Sequence, residues 1–162
     1  MNDTPLIATL RGWEDRPALH TEEATYTYRN LCGAIDRKQA ELASAGVSPG
    51  DIVFVQGNYS LEGIALFLAL YQNANIVAMN TADNAGEIQG KLATAGAAFF
   101  ADLRAGTLEP VERAGAGLES PLIASLRGRG CAGLILFSSG TTGKPKAMLH
   151  DLGKLIDSYA GK

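Results

Sequence analysis

The chain is short of charge, short of cysteine and histidine, and has no long apolar run. Asp, Glu, Lys and Arg make up 19% of its 162 residues, against roughly 25% in an average soluble domain. The apolar set reaches 46%. That balance excludes an intrinsically disordered chain and a solvated charged tail. It implies a core-rich piece, some of whose surface is meant to be covered by something else. Acidic residues outnumber basic ones by 17 to 14, a net charge of −3, which excludes a globally basic nucleic-acid binder. The longest apolar run, Ile64 to Tyr71, is far too short for a bilayer and closely follows Glu62. No membrane span is expected. The opening MNDTPLIATLRGWED has no basic stretch leading into an apolar core, so no secretory signal is read and the cytoplasm is the expected compartment. Cys32 and Cys131 stand alone, with no CxxC and no His at ligand spacing, so no metal site is expected. They leave two options, one disulfide or two buried reduced thiols, and the second is the simpler.

What is present alternates. Residues 1–16 read as an N-terminal arm and 17–162 as one α/β subdomain. Pro17 to Tyr28 has the outline of a hairpin around a polar turn. Thr27 then stands where an N-cap belongs, and Tyr28, Leu31, Cys32, Ile35, Leu42 and Ala43 follow at helical period, with Gly46 as the stop. Ile52 to Gln56 is a continuous apolar run of strand length, suited to burial on both faces. Ser60 caps a helix that is apolar nearly all round and so belongs between layers. Ile76 to Met79 reads as a strand, Asn84 to Ala95 as a helix and Ala98 to Ala101 as a strand. Strand, helix, strand, helix, strand implies parallel crossovers and a largely parallel sheet with flanking helices. Asp102 to Gly133, dense in Gly and Pro, reads as loop with short helical pieces such as Leu122 to Leu126. Leu134 to Phe137 resumes as a buried strand and Ala147 to Leu149 as extended chain. Asp151 caps a helix still running at Lys162, as expected of a domain that continues beyond this chain.

One segment demands a chemical explanation. Ser138-Ser139-Gly140-Thr141-Thr142-Gly143-Lys144-Pro145-Lys146 follows an apolar strand and offers four hydroxyls, two glycines and two lysines. Phosphate oxygens need donors arriving from several directions, and Gly-rich backbone, hydroxyls and ammonium groups supply them. A solvated hairpin turn would use the same residue types. The segment is not a Walker-type P-loop. Its glycines are three apart, Pro145 follows Lys144 and lacks an amide proton, and the chain beyond reads as extended rather than helical.

FSSGTTGKPKAMLH does, however, resemble the signature phosphate loop of the adenylate-forming ligases, the superfamily of acyl- and aryl-CoA synthetases, peptide-synthetase adenylation domains and luciferases. The one departure is Ala147, where most members carry Gly. The upstream run from Ala18 to Asn80 resembles the family's opening, although Asn73-Ala74 and Met79 depart from its Gly-Ala and Pro positions. The likeness covers most of residues 17 to 160.

The resemblance implies an incomplete N-terminal subdomain of an adenylate-forming ligase fold, with the C-terminal domain absent. The parent enzyme would consume ATP with Mg2+ and join a carboxylic acid to a thiol, with coenzyme A the expected acceptor. Fatty, aryl and amino acids all fit this far, acyl-CoA formation and fatty acid metabolism being the favoured setting. Ser138 to Lys146 would wrap the β- and γ-phosphates, with Lys146 ranked above Lys144, whose position varies in the family. No residue of this chain inherits a catalytic role, and the chain alone is expected to be inactive. Its partners would be the remainder of the ligase chain, the acid and coenzyme A. The uncovered apolar surface would also serve a homodimer. The competing reading keeps the fold as a stand-alone, non-catalytic phosphate- or partner-binding module. His20, His150, Trp13, Asp83 and Glu87 read as structural, Trp13 as the packing anchor of the arm and Glu87 as a helix N-terminal acid.

Overall fold

A computed structural model describes residues 3–81, 84–112, 120–138 and 146–159. The first helix, α1 (Pro5–Arg11), leads into a hairpin of β1 (Pro17–His20) and β2 (Thr25–Thr27), and then into α2 (Tyr28–Ser44). Next come β3 (Ile52–Gln56), α3 (Leu61–Gln72), β4 (Ile76–Asn80), α4 (Ala85–Ala95) and β5 (Phe99–Asp102). The chain closes with β6 (Thr107–Pro110), α5 (Pro121–Gly128), β7 (Gly133–Ser138), β8 (Lys146–Asp151) and α6 (Leu152–Asp157). Six strands form the main sheet in the order β6-β5-β3-β4-β7-β8. The inner four are parallel, and β6 and β8 close the edges antiparallel.

Burial on both faces shapes the sheet. Along β3, Val53 and Val55 face the cluster of α1, α2 and α3, while Ile52 and Phe54 face that of α4 and α5. An alternation with no solvent side needs apolar residues at every position, which is why IVFVQ reads as a continuous run. Between helices the sheet is a middle layer. α3 is sandwiched in turn, since α2 packs on it and its buried Gln72 accepts from the Thr4 amide (2.9 Å) and donates to Asp3 (2.9 Å).

The helices begin where side chains satisfy their first amides. Thr27 and Asn30 form a reciprocal capping box on α2. Ser60 Oγ accepts from Gly63 N (3.0 Å), Asn84 Oδ1 from Glu87 N (3.1 Å) and Asp151 Oδ1 from Lys154 N (3.1 Å). α2 and α3 both end in paired reverse hydrogen bonds of the Schellman type. In α2 these run from Gly46 N to Ala43 O and from Val47 N to Leu42 O; in α3, from Ala74 N to Tyr71 O and from Asn75 N to Leu70 O. The left-handed residue is Gly46 in the first case (φ 76°) and Ala74 in the second (φ 55°).

Three segments differ from their sequence reading. The arm contains a packed helix, α1, whose Ile7 is fully buried, and Trp13 meets Tyr28 edge-on at 4.7 Å. The stretch from Asp102 holds an edge strand, β6, because Asp102 Oδ1 accepts from Arg104 N (2.8 Å) and turns the chain back. The last helix ends at Asp157 rather than running on. Cys32 and Cys131 are both free thiols, Cys131 only half-buried, and they lie in clusters on opposite sides of the sheet. Burial pushes the Cys32 thiol up, away from thiolate chemistry.

Two measurements follow. Ala74→Gly relieves a left-handed alanine and should stabilise the fold by about 0.5–1 kcal/mol, read as a rise in Tm. At Asp151, burial works against ionisation, but the Lys154 amide and the Arg129 guanidinium outweigh it and hold the carboxyl below its ordinary value. A depressed folded pKa contributes stability above the unfolded value of about 3.9 and loses it as pH falls through the folded one. Asp151→Asn keeps the cap and loses the charge. Its deficit in urea unfolding should therefore be present at pH 7 and shrink as pH falls below the unfolded value of about 3.9.

Candidate functional site

All four parallel strands end in a polar residue at the same edge of the sheet: Gln56 on β3, Asn80 on β4, Asp102 on β5 and Ser138 on β7. Parallel strands present their carboxyl ends together, and ligands of open α/β sheets bind outside that edge. The helices leaving β3 and β4 pack on opposite faces, α3 on one and α4 on the other. The edge is therefore open where the two crossovers part.

A cleft of about 400 Å³ occupies this place, with Gly57, Asn80, Lys91, Leu136, Phe137 and Met148 among its lining residues. Its polar floor is a chain of contacts. Asn80 Nδ2 donates to Gln56 Oε1 (2.6 Å), and Lys91 Nζ donates to Asn80 Oδ1 (2.8 Å). Lys91 also pairs with Glu87 one turn earlier on α4 (2.5 Å) and lies 5.6 Å from the centre of the Phe137 ring. Its side chain is only 15% exposed. The rim is apolar and open, with Tyr59 88% exposed and Leu136 and Met148 also at the surface.

Gly57 joins β3 to this cleft. Its φ of +145° lies in a region that side chains avoid, and a Cβ there would meet Leu103 Cβ at 2.8 Å. The Gly57 amide donates to Asn80 O (3.0 Å), which extends the β3–β4 pairing to the cleft floor.

Of the nine residues proposed from sequence to bind phosphate, Ser138 and Lys146 are described, and Ser139, Gly140, Thr141, Thr142, Gly143, Lys144 and Pro145 lie outside the described residues. Ser138 and Lys146 are register partners on the last rung of the β7–β8 pair, so the segment leaves and rejoins the sheet at its carboxyl edge. Lys146 is exposed and Ser138 half-buried. Ala147, the departure from the family pattern, is an ordinary strand residue opposite Phe137 and does not have positive φ. Gly is not required there.

His150 is exposed on β8, opposite Leu134. His20 bonds Thr25 across the hairpin (2.8 Å). Asp83 lies outside the described residues. Gln56, Asn80 and Lys91 were not singled out from sequence. A signal existed in the polar residue closing each apolar strand, IVFVQ and IVAMN. Lys91 carried none, because a Glu–Lys pair four apart reads as helix surface. Among the described residues, no cluster of three His, Cys, Asp or Glu side chains is arranged to hold a metal, and no helix is long and apolar enough to cross a membrane.

No family model matches the sequence, and no curated protein does. Solved structures do match. The N-terminal subdomain of Klebsiella oxytoca NpsA, in complex with 3-hydroxyanthranilyl-AMSN, superposes with a TM-score of 0.67 at 25% identity over 92% of this chain and 40% of its own. Bacillus subtilis O-succinylbenzoate coenzyme A synthetase (MenE), in complex with AMP, gives 0.69 at 17% identity over 97% and 44%. The inhibitor-bound N-terminal domain of FACL13 from Mycobacterium tuberculosis gives 0.66 at 18% identity over 90% and 43%. The chain thus spans about two-fifths of the length of these structures.

Gly57→Ala tests the built geometry of the cleft. Forcing a Cβ onto Leu103 at a glycine-only backbone conformation should cost about 1–3 kcal/mol, measured by urea unfolding. A cost below about 0.5 kcal/mol, the size of an ordinary surface change, would show that the close approach is not real. With this sheet order, this carboxyl edge and these neighbours, the chain has the fold of an adenylate-forming ligase N-terminal subdomain.

Proposed function

We propose that this chain supplies the phosphate-binding portion of an ATP-dependent ligase that joins a carboxylic acid to a thiol of the coenzyme A type, in the cytoplasm. The observation that carries the reading is the pairing of Ser138 with Lys146 at the carboxyl edge of the parallel sheet. It sets both ends of the hydroxyl-, glycine- and lysine-rich segment where α/β sheets take their ligands. The AMP held by MenE and the 3-hydroxyanthranilyl-AMSN held by the NpsA subdomain support it, since both proteins share this fold.

In the proposed reaction, a carboxylate oxygen of the acid attacks the α-phosphorus of MgATP. A new bond forms between that carboxylate oxygen and the α-phosphorus, the bond from the α-phosphorus to the oxygen bridging it to the β-phosphorus breaks, and pyrophosphate leaves with that electron pair. A thiol then displaces AMP from the acyl-adenylate, losing its proton as the thioester forms. Magnesium enters with the nucleotide as part of the substrate.

The segment's contribution is positioning and charge. Gly140 and Gly143 let the backbone approach the β- and γ-phosphates, and Ser138, Ser139, Thr141 and Thr142 donate hydroxyl hydrogen bonds. Lys146, with Lys144, offsets the charge that builds on pyrophosphate as it departs. The exposed Tyr59, Leu136 and Met148 form the kind of surface that the remainder of a ligase chain would cover. In this reading the chain by itself catalyses no ATP–pyrophosphate exchange, because no group for the acid is assigned to it.

Isothermal titration of the purified chain with MgATP tests the proposal. Lys146→Ala should raise Kd roughly tenfold or more, the loss of a charge-assisted hydrogen bond, whereas Lys154→Ala on α6 should change it less than about twofold. Binding that is insensitive to Lys146→Ala, or no binding of MgATP or pyrophosphate at all, would overturn it.

A further inference from the structure

β7 parts from its parallel neighbour β4 before either strand ends. Pairing of β4 with β7 runs only to Ala78 and Ile135, whereas pairing of β7 with β8 continues through Phe137–Ala147 to Ser138–Lys146. From Leu136 onward, β7 has a ladder partner on one side alone. The ends of β4 and β7 diverge there, and the cleft lies in the fork.

Lys91 spans that fork. Its ammonium is anchored on α4 by Glu87 and on the β4 end by Asn80 Oδ1, and it sits 5.6 Å from the centre of the Phe137 ring on the β7 end. Phe54 also meets this ring, tilted by 49° with 6.1 Å between centroids. A lysine serving solubility would extend into water. This one is largely buried, with its charge directed at an aromatic face, an arrangement that gains from partial desolvation. Phe137 immediately precedes Ser138, and its partner Ala147 immediately follows Lys146. Whatever fixes the Phe137 ring therefore fixes both points from which the phosphate segment departs.

We propose that Lys91 is a positioning residue for the phosphate-binding segment, pinning Phe137 and with it the end of the β7–β8 pair that has parted from β4. The consequence for nucleotide rests on the function proposed above; the pinning itself does not. Lys91 acts through Phe137 and makes no phosphate contact.

The test compares Lys91→Met, which keeps the aliphatic stem and loses the charge, with Lys91→Arg, which keeps the cation. Amide hydrogen exchange is read in the nucleotide-free chain, and MgATP binding by titration at several salt concentrations. Lys91→Met should speed exchange at residues 137, 138, 146 and 147 about tenfold or more, leave β3 and the start of β4 unchanged, and raise the MgATP Kd roughly three- to tenfold. The salt dependence of Kd should not change, and Lys91→Arg should restore both readouts to within about twofold. Unchanged exchange at the β7–β8 end, or faster exchange across the whole sheet, would overturn the proposal. So would an unaltered Kd in a chain that binds MgATP, or a shallower salt dependence, which would make Lys91 a direct phosphate contact. A wild-type chain that binds no MgATP but shows the local exchange change in Lys91→Met would leave the pinning standing and remove the proposed function.

Discussion

Parallel pairing of β5, β3, β4 and β7 is the constraint on which the rest depends. Each parallel step needs a crossover, and each crossover helix must bury its apolar stripe on a face of the sheet. With α3 on one face and α4 on the other, the four carboxyl ends gather at one edge and the chain opens between them. No side chain is needed to make that opening. It is a consequence of topology, and the polar residues that end the strands then have only one place to meet.

What the fold leaves at that edge is a polar floor under an apolar rim. Gln56, Asn80, Lys91 and Glu87 are linked through short hydrogen bonds and an ion pair, so a largely buried ammonium is compensated rather than stranded. The two sides of the site are coupled through this floor. β3 and β4 are paired to their last residues, whereas β7 is held at its tip by β8 and by side chains. Of the parallel strands, β7 is thus the one whose end is paired on one side only, by β8, while Lys91 of α4 reaches its Phe137 ring from the other.

Much of this was legible in the sequence, for physical reasons. Strands buried on both faces leave continuous apolar runs, so β3, β4 and β7 stood out, and helices α2, α3, α4 and α6 were marked by Thr27, Ser60, Asn84 and Asp151 at their first turns. β6 was hidden because an edge strand reading TLEP, with most of its residues exposed, carries no apolar signal. α1 was hidden because seven residues with two buried side chains leave too short a period to read. The composition of Ser138 to Lys146 suits phosphate and a solvated turn alike, and it is the family resemblance that favours phosphate. The place of Lys91 was not legible, because it depends on β7 parting from β4 after Ala78 and Ile135, and only register shows that. The left-handed alanine at position 74 was equally invisible, since nothing in QNAN requires a positive φ.

The most direct measurement is a titration of the isotopically labelled chain with pyrophosphate, followed amide by amide by NMR. A chain that takes phosphate at the carboxyl edge of its sheet will show saturable shifts at Gly140, Thr141, Thr142 and Gly143, together with Ser138 and Lys146. Shifts that do not saturate and are scattered over surface cations such as Arg104 and Lys154, with the 138–146 segment unmoved, would contradict it.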